Sequence, residues 1–294
     1  MQSVGGKTLQ HLGTVMTKTW FITGTSSGFG RILTEKLLER GDRVAATLRR
    51  PEALNELKKT FGDLLWIEAL DVTDTAAVRH CVDKAFADLG HIDVIVNNAG
   101  YALFGAAEEL TDDQIRRQID TNIIGSIQVT RAALPHLRAQ GGGRIMQLSS
   151  MGGQISLPAL SLYHTTKWAI VGFFESVIQE VESFGIEVTL VEPAGARTNF
   201  AYGSMDNAVP MDVYTDTKVG EFRKARAAGD YHPALDPDKV ALAMMASLET
   251  SPAPKRLTLG SDAYKLVHAG LSERLGALEA QRDIALSADY DPVR

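Results

Sequence analysis

The sequence predicts an α/β fold, a doubly wound and mainly seven-stranded parallel sheet with helices on both faces, built as a single domain. Three observations carry this expectation. Short apolar runs alternate with longer amphipathic stretches, the order that right-handed strand–helix–strand crossovers produce. The runs are apolar almost throughout, as strands covered on both faces must be. The 294 residues contain no internal repeat and no Pro/Ser-rich linker that would divide them.

Taken in order, Trp20-Phe21-Ile22 reads as a first buried strand that runs into a turn at Thr23-Gly24. Gly30 to Arg40 carries Ile32, Leu33, Leu37 and Leu38 at the spacing of one helix face, and Gly41-Asp42 stops it. Arg43 to Leu48 is a second strand, and Pro51 opens a helix at a position that tolerates proline. Leu64 to Leu70 is a third strand, after which Thr73 or Asp74 caps the next helix. Further strands are expected at Asp93 to Val96, Arg144 to Leu148, Ile186 to Val191 and Arg256 to Leu259. Amphipathic helices are expected over 112–139, 164–184 and 237–248.

Outside this frame lie three segments. Residues 1–15 are polar, glycine-containing and aperiodic, and read as a disordered leader ahead of a domain spanning 16–294. An excursion at 197–235 interrupts the alternation and is expected to form a substrate loop that lines the pocket. Residues 261–294, with Leu266, Leu271, Leu275 and Leu278, read as a helical extension that covers the pocket or joins subunits.

Composition narrows the function. Hydrophobic residues at 45% and charged residues at 22% belong to a soluble globular chain rather than a disordered one. A net charge of -6 speaks against a nucleic-acid binder, which needs a basic stripe. No apolar run approaches the roughly 18 residues of a membrane span, so a cytoplasmic location is expected. The single cysteine, Cys81, excludes an intramolecular disulfide, and the seven histidines show no metal-ligand spacing.

Directly after the first strand comes Thr23-Gly24-Thr25-Ser26-Ser27-Gly28-Phe29-Gly30, opening onto a helix. Glycines at such a turn let backbone N–H groups approach a pyrophosphate, which a helix N-terminus favours electrostatically. The spacing GxxxGxG lacks the Lys-Ser/Thr of a P-loop. It also contains a GxSxG, the nucleophile elbow of serine hydrolases, centred on Ser26 in a strand–turn–helix setting. That elbow normally follows several strands, here it follows one, and Gly30 has no role in it.

Three further segments make the pattern specific, and with them residues 17–260 resemble the short-chain dehydrogenase/reductase family, a Rossmann-type fold. They are Asn97-Asn98-Ala99-Gly100 at the end of the fourth strand, Tyr163 with Lys167 four residues on, and Ser150 thirteen residues before Tyr163. Asn122 matches the family's helix asparagine. The chemistry asks for such groups, because a carbonyl that accepts hydride builds negative charge on oxygen and needs a proton donor and a hydrogen-bond donor. Tyr163 and Lys167 share a helix face. A free phenol has a pKa near ~10, and a neighbouring ammonium favours its ionised form. The resemblance implies Tyr163 as general acid and base, Lys167 as its partner and holder of the nicotinamide ribose, Ser150 on the substrate oxygen, and Asn122 keeping a water in a proton relay. His164 reads as structural.

The same resemblance implies a nicotinamide cofactor held by Gly24, Thr25, Ser26, Ser27, Gly28, Phe29 and Gly30. Asp71 and Val72 would meet the adenine, Asn98, Ala99 and Gly100 the adenosine ribose, and Pro193, Ala196 and Thr198 the nicotinamide amide. Where NAD enzymes of this kind place an acid after the second strand, this chain has Leu48 followed by Arg49 and Arg50. A guanidinium pairs with a 2′-phosphate and an acid repels it, so Arg49 points to NADP(H). In Pro193-Ala194-Gly195-Ala196 the glycine stands one place later than the family's usual Pro-Gly. Tyr101, Leu103, Phe104, Met151, Ile155, Leu157 and Leu160 are expected to line an apolar pocket for a hydrophobic or aromatic ketone, aldehyde or alcohol. A homodimer or homotetramer is implied through the helices at 112–139 and 164–184. A non-catalytic NADP(H) sensor and a serine hydrolase stand as alternatives.

Overall fold

The computed structural model describes residues 17–196, 205–229 and 233–290. The expected leader at 1–15, Thr198 and parts of the 197–235 excursion lie outside them. Among the described residues nine strands form: β1 (Thr19–Thr23), β2 (Arg43–Leu48), β3 (Leu65–Ala69), β4 (Val94–Asn97), β5 (Leu103–Phe104), β6 (Gly143–Leu148), β7 (Ile186–Pro193), β8 (Asp206–Asn207) and β9 (Arg256–Leu259). Ten helices of the described residues accompany them: α1 (Gly28–Arg40), α2 (Asn55–Phe61), α3 (Thr75–Leu89), α4 (Asp112–Ile119), α5 (Ser126–Ala139), α6 (Ser161–Val181), α7 (Lys218–Ala227), α8 (Pro237–Ala246), α9 (Ser261–Ala280) and α10 (Arg282–Leu286).

The seven long strands make one all-parallel sheet in the order β3-β2-β1-β4-β6-β7-β9, the doubly wound Rossmann-type arrangement. The chain winds outward from β1 and then returns to place β4 against its other side. The crevice at that reversal, beyond the carboxyl ends of the strands, is where such sheets bind ligands. Strand alternation feeds two cores. Phe21, Ala45, Ile95, Ile145 and Leu190 face α3, α5 and α6, while Trp20, Ile22, Val44, Val96 and Met146 face α1 and α8. Trp20, Phe21 and Ile22 are wholly buried, which explains why the first strand shows no polar alternation.

Helix ends follow local chemistry. Asp74, not Thr73, caps α3, accepting from the amides of Ala76 and Ala77. Gly41 ends α1 in the left-handed region at φ 92°. Several expected boundaries shift. The first helix begins at Gly28 rather than Gly30, the helix expected over 164–184 runs Ser161–Val181, and Pro51 opens a short 3₁₀ turn, Pro51–Leu54, ahead of α2. The stretch 112–139 is not one regular helix, because a π-helical turn, Asp120–Gly125, divides α4 from α5.

Two features lie outside the expected alternation. β5 and β8 pair in parallel as a separate two-stranded ribbon that ties the chain around 206 to the rim of the main sheet. Helix α9 buries Ala263 and Val267 and then leaves the body, so that residues 271–290 are exposed. Among the described residues no helix is long and apolar enough to cross a membrane.

Candidate active site

The turn after β1 is held from the side by the Asn97–Gly100 segment. Thr23 Oγ1 accepts from the amides of Asn98 and Ala99, each at 3.0 Å. Asn98 Nδ2 donates to the carbonyls of Thr23 at 2.8 Å and Gly24 at 3.0 Å. The glycines divide by role. A Cβ on Gly30 would stand 2.3 Å from Asn98 Nδ2 and 2.7 Å from Gly24 O, so this position demands glycine for packing. Gly28 takes φ +59° with nothing within 4 Å of where its Cβ would be, so its requirement is the left-handed backbone alone. Thr25 is buried, with its hydroxyl donating to Thr47 O at 3.2 Å.

No side chain caps the first amides of α1, in contrast to the capped α3. Those uncapped donors, beside Ser26, Ser27, Gly28 and Phe29, face a cleft of about 1210 Å³. Uncapped amides at a glycine turn form a cradle that fits a pyrophosphate. Gly24, Arg49, Asp71, Val72, Asn98, Ala99, Gly100, Pro193 and Ala196 line the same cleft, whereas Thr25 and Gly30 stand behind it. Arg49 and Arg50 are exposed at the end of β2, with no carboxylate at that point. Asp71 turns one carboxylate oxygen to the amide and hydroxyl of Thr73, at 3.0 and 2.8 Å.

At the other end of the cleft stand Ser150, Tyr163 and Lys167. Tyr163 and Lys167 lie one turn apart on α6, with the Lys167 ammonium 5.7 Å from the Tyr163 ring centroid. Lys167 Nζ donates to Leu148 O at 2.9 Å, and burial lowers its pKa to about 8. Ser150 follows β6, and its Oγ accepts from the amide of Gly152 at 3.0 Å.

Asn122 sits in the π-helical turn behind the cleft. Its Oδ1 accepts from the Tyr101 amide at 3.0 Å, and its Nδ2 donates to Tyr101 O at 2.8 Å and Thr166 Oγ1 at 3.0 Å. Thr166 in turn donates to Tyr163 O at 2.8 Å. The side chain of Asn122 is thus spent on fastening α6 to the strand-end loop. π-Helical turns cluster at functional sites.

The apolar end is built partly from expected residues. Tyr101, Phe104, Met151, Leu157 and Leu160 line it, but Leu103 and Ile155 do not. Leu103 is buried in β5, and Ile155 points outward to α9, where its Cγ2 leaves only 3.0 Å to a Cβ on Gly270. Met205, Asp206, Phe222, Ala225 and Arg226 come from the excursion expected to line the pocket, though none of them was singled out there, and Arg117 was not expected. Phe222 stacks on Phe104 at 5.8 Å, and the Arg226 guanidinium lies 5.0 Å from the same ring centroid. The one available signal was Phe222 and Arg226 standing four apart in a polar stretch.

Fully buried Glu109 anchors this wall. It accepts from the amides of Ala106 at 2.7 Å and Met211 at 2.8 Å and from Arg223 at 2.7 Å. Burial alone would raise its pKa, yet the two amides and the guanidinium hold it below the usual carboxylate value.

Comparison with known proteins agrees with this geometry. The short chain dehydrogenase family model matches residues 18–207. The oxidoreductase BOA17 of Botryotinia fuckeliana is 39% identical over 274 residues, 93% of this chain and 100% of that protein. A short-chain dehydrogenase from Streptomyces avermitilis superposes with a TM-score of 0.86 at 36% identity, over 93% of this chain and 100% of its own. The closed form of a serine dehydrogenase complexed with NADP+ gives a TM-score of 0.69 at 30% identity, over 82% of this chain and 94% of its own.

Proposed function

The chain belongs to the short-chain dehydrogenase/reductase family, and we propose that it is an NADP(H)-dependent oxidoreductase acting on a hydrophobic or aromatic carbonyl and the matching alcohol. The observation that carries this reading is the placement of Tyr163, Lys167 and Ser150 at one end of a cleft whose other end is the uncapped start of α1. When bound, the nicotinamide supplies the hydride in reduction and takes it back in oxidation.

The protein's own groups then manage the oxygen. Ser150 holds and polarises it, and the Tyr163 hydroxyl gives it a proton in reduction and reclaims one in oxidation. With a pKa of about 8, Lys167 is about nine-tenths protonated at pH 7, so its charge favours the phenolate through which that proton returns. Asn122, its side chain already engaged, acts through its position in the π-helical turn and leaves backbone to a relay water. Pro193, Ala196 and Thr198 are assigned to the nicotinamide amide.

Arg49 is assigned to the 2′-phosphate, because its guanidinium stands where an acid would be needed for NAD. Phe104, Leu157, Leu160 and Phe222 favour an apolar substrate body, and Arg226 adds a positive charge at its far end. Exposed Trp168 and Phe184, on and just after α6, leave apolar surface that is in keeping with a homo-oligomer. Family membership removes the ground for the hydrolase alternative, since Ser26 belongs to the cofactor turn.

The test is Tyr163→Phe beside the wild type. NADPH should bind both, and NADPH oxidation against a panel of apolar ketones should fall about 10²–10⁴-fold in the variant. Absence of NADPH binding to the wild type would refute the assignment.

A further inference from the structure

His164 follows the proposed acid–base tyrosine but turns away from it, into the loop that carries Ser150. It is buried, with its ring edge-on to Tyr163 at a centroid distance of 5.8 Å. Its two nitrogens are spent on opposite tasks. Nε2 lies 2.9 Å from the amide of Leu157, which can only donate, so Nε2 accepts. Nδ1, 2.8 Å from the carbonyl of Gly152, must then carry the ring's proton. The ring is neutral in a single tautomer, and its burial, which penalises the charged form, favours that state.

Gly152 has both of its backbone polar groups in use, one on each of the two peptide planes that meet at its Cα. Its carbonyl is held by His164, and its N–H donates to Ser150 Oγ at 3.0 Å. A hydroxyl that accepts a hydrogen bond from a backbone amide keeps its own proton for a third party. The approach is close enough to exclude a side chain, because a Cβ on Gly152 would stand 2.8 Å from His164 Nδ1 and 3.4 Å from Ser150 Oγ. Met151, Gly152 and Leu157, the segment bracketed by the two imidazole bonds, line the cleft.

We propose that His164 is a positioning residue with two separable duties: through the backbone of Gly152 it orients Ser150 as a donor to the substrate oxygen, and through Leu157 it fixes the apolar substrate wall. This rests on the oxidoreductase reading above for the identity of the substrate oxygen. The two duties fall to different atoms, and two substitutions divide them. The amide of asparagine reaches the place of Nδ1, and that of glutamine the place of Nε2.

The experiment compares wild type, His164→Asn, His164→Gln and Gly152→Ala in steady-state NADPH oxidation against an apolar ketone, with and without deuterium on the transferred hydride, alongside thermal unfolding. His164→Gln and Gly152→Ala should lose about 10–100-fold in kcat, the scale of an ångström-level misplacement at the reacting centre. Their deuterium isotope effect should rise and KM stay nearly constant. His164→Asn should keep most of kcat and raise KM several-fold, because Leu157 has lost its acceptor. A common fall of kcat in both His164 variants that tracks their unfolding temperatures would overturn the proposal, as would unchanged kinetics.

Imidazole ¹⁵N NMR of the wild type reads the same claim without turnover. A proton on Nδ1 alone supports it, and a proton on Nε2 refutes it. If no carbonyl is reduced while the tautomer is as stated, the oxidoreductase reading is what has failed.

Discussion

Replacing Gly30 by alanine tests whether the phosphate turn depends on packing against Asn98. The new Cβ would meet Asn98 Nδ2 at 2.3 Å and Gly24 O at 2.7 Å, one a doubly hydrogen-bonded amide and the other backbone. Neither can move freely. Overpacking of this kind costs about 1–3 kcal/mol, and displacing Asn98 forfeits two hydrogen bonds of about 1 kcal/mol each. Gly30→Ala should therefore lose about 2–4 kcal/mol in denaturant unfolding and weaken NADPH binding, measured by fluorescence titration. Asn98→Ala alone should cost about 2 kcal/mol. In the double variant the clash partner is already gone, so the two losses should fall short of their sum by at least about 1 kcal/mol. Additivity within about 0.5 kcal/mol would refute the packing argument. Gly28→Ala is the contrasting control. Its Cβ meets nothing, so stability should drop only by the left-handed strain, about 1–2 kcal/mol, while NADPH binding suffers directly.

Glu109→Gln keeps the shape of the buried anchor but turns an N–H toward a donor and strips Arg223 of its counter-charge. The local cost, about 2–4 kcal/mol, should surface as a higher KM and faster proteolysis near residues 205–227, with NADPH affinity intact; an equal loss of NADPH affinity would count against it. For Lys167 the sign follows from a charged form penalised in the fold, so the unfolded chain holds the proton longer. Wild-type stability should therefore rise relative to Lys167→Met between pH 8 and about 10.5, by at most about 3 kcal/mol. A difference independent of pH over that interval would contradict the assigned burial. Arg49→Leu should weaken NADPH about 10-fold, the modest figure reflecting its exposure, and leave NADH nearly unchanged. Equal losses for both nucleotides would undo the cofactor assignment.

The sheet was legible because each strand is a short apolar run set between polar or glycine turns, a signal that survives without knowledge of partners. β7 outran its expected end because Glu192, which reads as polar punctuation, is buried against Gln154, Arg256 and Thr258. Tyr163, Lys167, Ser150 and Asn98 were singled out by the motifs that carry the family resemblance. The bonds that Asn98, Glu109 and His164 make were not legible, since hydrogen bonds between particular pairs leave no periodic trace. The β5–β8 ribbon is two residues long on each side and shares that invisibility. The excursion was expected to line the pocket, but the particular residues of α7 that do so were not legible, because their hold on the site runs through Phe104 and Glu109, more than a hundred residues away in sequence.

The π-helical turn at Asp120–Gly125 has an evolutionary consequence. Such a turn is, in effect, one surplus residue in an otherwise regular helix. A single-codon deletion within it would restore uninterrupted α-helix from α4 into α5, and the repaired helix would gain regular geometry. Because the bulge absorbs the surplus residue, α5 would keep its register against α3, but Asn122 would leave its place beneath Tyr101 and Thr166. Keeping the surplus residue while losing Asn122's place beneath Tyr101 and Thr166 is equally unproductive. Descendants of this gene can therefore vary Asp112, Asp113 and Arg116, exposed on α4 and away from the cleft, more readily than Arg117, which pairs with Asp206, or than the length of the turn that seats Asn122.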